Sequence, residues 1–135
     1  MTTAKRVLLV EDDRFLRRAC EASLRQKGLD VTTAVDGEQG LERARVARFD
    51  LILLDLLMPK LSGLDVLRAL KADPATRDMP VLVLSNSSRA QDVREVEALG
   101  VVGYIVKANM SLKELGERID RALDAGTGSA SGLRP

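Results

Sequence analysis

Five short apolar runs alternate with segments of helical period along the chain. The runs cover residues 6–10, 31–35, 51–54, 81–84 and 103–106, and their length and aliphatic content predict strands. After the first run, Leu16, Ala19, Cys20, Ser23 and Leu24 return at the spacing of one helical face. Leu41, Ala44 and Ala47 do so after the second run, and Val66, Leu67 and Leu70 after the third. Val93, Val96 and Gly100 mark a fourth helix, and Leu112, Leu115, Ile119, Ala122 and Leu123 a fifth. Strict strand–helix alternation requires crossovers, which are right-handed and put helices on both faces of a parallel sheet. The expected class is therefore α/β, a doubly wound (βα)5 unit. Runs one, three and four are continuously apolar, as strands covered on both faces are. Run two, Val31-Thr32-Thr33-Ala34-Val35, has polar interruptions and is expected at an edge.

Local signals place the boundaries. Ser88-Arg89-Ala90-Gln91 and Ser111-Leu112-Lys113-Glu114 fit the capping box, in which side chains satisfy the first free amides of a helix. Asp36-Gly37 and Asp73-Pro74 read as turns. Asp13 is expected to begin the first helix, where a negative charge favours the positive dipole end. Residues 1–125 read as one domain, and the small residues of 126–135 as a flexible tail or linker.

Composition narrows the functional classes. A chain of 135 residues, 45% hydrophobic and 30% charged, fits one soluble domain with a real core. Its 21 basic and 20 acidic residues leave a net charge of +1 with no basic arm or stripe, so direct nucleic-acid binding is not expected. No apolar stretch approaches the roughly 20 residues of a membrane span. No signal peptide is visible, and the single cysteine, Cys20, suits a reducing cytoplasm. Without histidine, Ser-His-Asp and Cys-His machinery and ordinary zinc sites are excluded.

Acidic residues sit where a site in such a sheet belongs. Val7-Leu8-Leu9-Val10 ends in Glu11-Asp12-Asp13, and Leu51-Ile52-Leu53-Leu54 ends in Asp55. Ligands in open parallel sheets bind beyond the carboxyl ends of the strands. Neighbouring strands ending in acids would crowd like charges, which calls for a hard divalent cation, magnesium above all. Strand four ends in Ser85-Asn86-Ser87-Ser88 and strand five in Lys107. Acids, a hydroxyl and a lysine at one edge can hold a cation and the oxygens of a phosphoryl group together, and phosphoryl transfer asks mostly for positioning and charge neutralisation. Read singly, each residue has a plainer role: Asp55 as a loop cap, Lys107 as a surface lysine, Ser85 as turn chemistry, Tyr104 as packing.

Taken in order, Glu11-Asp12, Asp55 with Met58-Pro59 and Gly63, Ser85, and Tyr104 with Lys107 resemble the receiver domain of bacterial two-component response regulators, of the chemotaxis-regulator kind, over about residues 5–125. The resemblance implies a flavodoxin-like five-stranded sheet in the order 2-1-3-4-5. It implies that Asp55 accepts a phosphoryl group from a histidine kinase, a phosphotransfer protein or a small donor. Asp12, Asp55 and the backbone carbonyl of Leu57 would ligate Mg2+, with Glu11 acting through water. Lys107 would pair with Asp55 and then with a phosphoryl oxygen. Ser85 would move toward the phosphoryl group and Tyr104 inward, changing the surface of helix four, strand five and helix five for a downstream protein target. The only reactions expected are the domain's own phosphorylation and dephosphorylation, in a monomer or weak dimer.

Three positions depart from the family pattern. Asn86 stands where a small residue is usual, which narrows access. Ala108 follows Lys107 where a cis proline is common. A cis bond before alanine costs about 2.5–4 kcal/mol, so a trans bond or a rearranged loop is expected. Leu57, two residues past the acceptor, is apolar and is expected to shield an acyl phosphate from water. A phosphorylation-independent pseudo-receiver remains an alternative. An aspartate-nucleophile phosphatase would carry a second acid where Leu57 stands.

Overall fold

Alternation within each strand decides which face of the sheet a residue feeds. In the computed structural model, which describes residues 4–58, 60–86 and 90–130, the strands are β1 (Arg6–Val10), β2 (Asp30–Ala34), β3 (Leu51–Asp55), β4 (Val81–Ser85) and β5 (Gly103–Val106). All pair in parallel, in the order β2-β1-β3-β4-β5. Leu8, Val10, Ile52, Leu54, Val81 and Val83 enter one core with α2 (Gly37–Val46), α3 (Gly63–Ala72) and α4 (Ala90–Ala98). Val7, Leu9, Leu51, Leu53, Leu82 and Leu84 enter the opposite core with α1 (Arg14–Gln26) and α5 (Leu112–Ala130). β1, β3 and β4 are thus apolar on both sides because both sides are covered. Leu53 is fully buried, and its truncation to alanine costs about 2–5 kcal/mol.

The helix starts follow their caps. Asp13 accepts from the Leu16 amide, and Asp36 from the Gln39 amide. Ser111 and Glu114 form the reciprocal pair of a capping box, at 3.1 and 3.2 Å. The proposed box at Ser88 lies outside the described residues. Asp36-Gly37, read as a turn, is instead the cap and first residue of α2. Gly100, read as part of the fourth helical face, lies past the end of α4 with φ 87°. α5 runs on to Ala130, so five residues assigned to the tail are helical. No proline interrupts that stretch, and extending a formed helix needs no new nucleus. β5 leads into a 3-10 turn, Lys107–Asn109, and the Lys107–Ala108 bond is trans, as expected. No described helix is long and apolar enough to cross a membrane.

β2 is an edge, and its outward carbonyls are occupied. The amide of Asp30 donates to the Lys5 carbonyl, and that of Glu11 to the Ala34 carbonyl. Residues 30, 32 and 34 therefore face β1, and Val31 and Thr33 turn their carbonyls outward. Arg25 of α1 donates to the Val31 carbonyl at 3.1 Å, and Arg43 of α2 to that of Thr33 at 2.7 Å. The Val35 amide donates to Gln39 Oε1 at 3.0 Å.

Candidate functional site

The register of the sheet brings the strand ends level. Val10 pairs with Leu54, Asp55 with Leu84, and Ser85 with Val106. The residues that follow, Glu11-Asp12 after β1 and Lys107 after β5, therefore emerge at the same edge as Asp55 and Ser85. Glu11, Asp55 and Ser85 are buried, whereas Asp12 is exposed.

Lys107 Nζ lies 2.7 Å from Glu11 Oε1 and 3.1 Å from Asp55 Oδ2. Glu11 is fully buried, and Lys107 is the cation that faces its Oε1. Its other oxygen accepts from the Asp13 amide at 3.1 Å. Asp55 Oδ1 accepts from the Leu57 amide at 3.2 Å. One carboxylate oxygen each from Glu11, Asp12 and Asp55 falls within a 4.8 Å cluster.

That crowding has an electrostatic signature. Burial, then the nearby charge of Glu11, pushes the Asp55 carboxyl up to about 7, although Lys107 opposes both. Burial also works against the charge of Lys107, but Glu11 and Asp55 outweigh it and hold its pKa above the ordinary lysine value. One lysine among three carboxylates leaves the cluster negative. A hard, oxygen-only set of three carboxylates sharing one lysine suits Mg2+, which takes carboxylate and carbonyl oxygen. The residues fit the ion.

The rim differs from the floor. Leu57, two residues past Asp55, is 63% exposed. With Leu56, Ser62, Leu64, Ser85, Asp92 and Val96 it lines a cavity of about 190 Å³. Asn86 is exposed and borders a groove with Asp13, Phe15, Leu16, Lys107 and Ala108. Tyr104 is half-buried on β5 against the α2–α3–α4 core, with its ring on the face opposite α1 and α5.

The structure thus brings together Glu11, Asp12, Asp55 and Lys107, with Ser85 at the neighbouring strand end. Two contributors have no local sequence signal. Arg17 donates to the carbonyls of Glu11 and Asp12 at 2.9 and 3.2 Å, clamping the chain beneath the acids. Lys60 reaches back from the loop after Asp55 to Asp36 at 3.4 Å. The Lys60–Asp36 pair joins residues whose proximity only the folded chain creates.

The chain matches the family model of the response regulator receiver domain over residues 7–120. It is 43% identical over 122 residues to the transcriptional regulatory protein PrrA of Mycobacterium tuberculosis, covering 90% of this chain and 51% of the relative. It is 37% identical over 116 residues to the gliding motility regulatory protein of Myxococcus xanthus, covering 86% of this chain and 15% of the relative. The chain therefore spans between about a seventh and a half of these relatives. Among solved structures, the chemotaxis protein CheY4 of Vibrio cholerae aligns with a TM-score of 0.82 at 29% identity, over 89% of this chain and 99% of that one. The receiver domain of the sensor histidine kinase PA1611 of Pseudomonas aeruginosa, solved with magnesium in its active-site cleft, aligns at 0.80 and 30% identity over 90% and 99%.

Proposed function

Because this chain belongs to the receiver-domain family of two-component response regulators, we propose that Asp55 is its phosphoacceptor. The observation that carries the reading is Lys107 Nζ, held between Glu11 and Asp55 at the buried floor of the carboxylate cluster. Mg2+ held by Asp12, Asp55 and the Leu57 carbonyl, with Glu11 behind it through water, would supply the positive charge that offsets crowded carboxylate and phosphoryl oxygens.

The chain's own residues do the rest. An Asp55 carboxylate oxygen attacks phosphorus in line as the bond to the donor breaks, giving an acyl phosphate. Lys107 already faces Asp55 Oδ2 and passes to a phosphoryl oxygen with little movement, so its charge is in place before reaction. Ser85 offers its hydroxyl from β4, and Tyr104 turns inward as Ser85 shifts, altering the face of α4, β5 and α5 that a partner protein reads. Leu57 keeps water from the acyl phosphate. The donor is a sensor histidine kinase, a phosphotransfer protein or a small phosphodonor, in the cytoplasm. The chain turns over no separate substrate and binds no nucleic acid itself, acting as a monomer or weak dimer.

Incubation with acetyl phosphate and Mg2+ tests this. We expect a mass increase of one phosphoryl group, lost in Asp55→Asn and on chelation of the metal. An unmodified protein overturns the assignment and favours a phosphorylation-independent interaction module, and an adduct that persists in Asp55→Asn moves the acceptor to another residue.

A further inference from the structure

We infer that Lys60 and Asp36 form a latch that positions the loop after the acceptor and thereby sets the magnesium affinity of the site. The inference rests on the reading of Asp12, Asp55 and the Leu57 carbonyl as the magnesium seat.

The loop between β3 and α3 must carry Leu57 past Asp55 and return within a few residues. Its far end is pressed onto the acceptor's own backbone. The Gly63 amide donates to the Leu56 carbonyl at 2.9 Å, and a Cβ on Gly63 would overlap the Asp55 carbonyl oxygen and Leu56 Cα. The loop also abuts α2, because a Cβ on Gly37 would overlap the Leu61 carbonyl oxygen. Only glycine allows both approaches.

Just before these two pins, Lys60 takes a left-handed backbone, φ 65°. For a residue with a side chain this costs about 1–2 kcal/mol, so neighbouring contacts must hold it. Its Nζ lies 3.4 Å from Asp36 Oδ2 and 3.9 Å from Glu38 Oε1. Asp36 is a fixed anchor, since its other oxygen caps α2 through the Gln39 amide at 2.8 Å. That amide, and then Lys60, hold the Asp36 carboxyl below the usual carboxylate range and keep it charged. Neither Lys60 nor Asp36 belongs to the carboxylate cluster. Leu57, bonded to Asp55 Oδ1 through its amide, lies three residues before Lys60. A loop released at Lys60 carries the Leu57 carbonyl with it.

Four variants of the full chain decide the matter: Asp36→Asn, Lys60→Met, the double variant and Lys60→Arg. Asparagine caps a helix as well as aspartate does, so Asp36→Asn removes the charge and leaves the cap. The Mg2+ dissociation constant, from NMR titration of the Asp12 and Leu57 amides, is read beside stability in urea. Each of the first two should weaken Mg2+ binding roughly two- to fivefold, the scale of one half-exposed ion pair. The double variant should weaken it no further than the worse single, and Lys60→Arg should retain wild-type affinity. Unchanged affinity with altered stability, or additive losses, overturns the latch while leaving the site assignment intact. If wild type and Asp55→Asn bind Mg2+ alike, the magnesium seat itself is misassigned and the latch falls with it.

Discussion

Asp36 and Asp55 are both aspartates drawn out of solvent at the carboxyl edge of one sheet, yet their surroundings push them in opposite directions. Asp36 meets the Gln39 amide and the Lys60 ammonium, and its carboxyl titrates below the ordinary range. Asp55 is more deeply buried, faces Glu11, and has one cation shared with that neighbour, so its carboxyl rises to about 7. Each meets one backbone amide and one lysine, so deeper burial and the facing charge of Glu11 separate them. Asp36, which caps α2 and pairs with Lys60, serves architecture. An acid crowded by a second carboxylate and sharing one cation is open to a metal ion.

The sharpest way to break this contrast is to remove the shared cation. Lys107→Met leaves Glu11 and Asp55 facing each other, and without Mg2+ it should destabilise the protein by about 3 kcal/mol in urea unfolding. Saturating Mg2+ should recover part of that loss. An equally stable variant means that the carboxylates are not charged together.

Asp55→Asn should act oppositely. The folded-state pKa of Asp55 exceeds its unfolded value, so the folded protein binds that proton more tightly and the penalty of ionising it is complete above pH about 7. In metal-free buffer at pH about 8 the asparagine variant should be more stable by about 1–2 kcal/mol. The advantage should shrink as pH falls through 7 toward 4, where Asp55 is protonated in both states. A gain independent of pH would refute the charge-crowding explanation.

Asp36→Asn should invert the sign at smaller scale. Its folded pKa lies below the unfolded value, so its stabilisation is present above the ordinary carboxylate pKa and is lost as pH falls through the folded value. The deficit of the variant should therefore be visible near neutral pH and vanish in acid, in thermal melts over that range. Smallest in free energy, Leu57→Asn should leave stability nearly unchanged and speed decay of the phosphorylated form, followed by mass. An unaltered decay rate removes Leu57 as a water shield.

Much of this was legible in the chain. Leu51-Ile52-Leu53-Leu54 could only be a strand covered on both sides, and an acid at its end had to lie at the sheet's ligand edge. Asp55, Asp12 and Lys107 were therefore visible as a set, because strand ends are fixed by periodicity. What stayed hidden depends on side-chain reach across the fold. Lys107 contacts Glu11 more closely than Asp55, a choice of rotamer that no spacing encodes. Lys60 in a left-handed conformation runs against its own propensity, and its partner Asp36 lies more than twenty residues earlier. The small residues after Ala125 suggested a loose tail, but weak helix formers can still prolong a helix already begun.

The guanidinium groups of Arg25 and Arg43, reaching from opposite faces onto the outward carbonyls of β2, have a bearing on how copies of this domain coexist. An incoming strand would have to displace two charge-assisted bonds to reach those carbonyls. The flank farthest from β5 is thus a poor template for self-association, and molecules crowded together or joined in tandem can meet there without zipping into a common sheet.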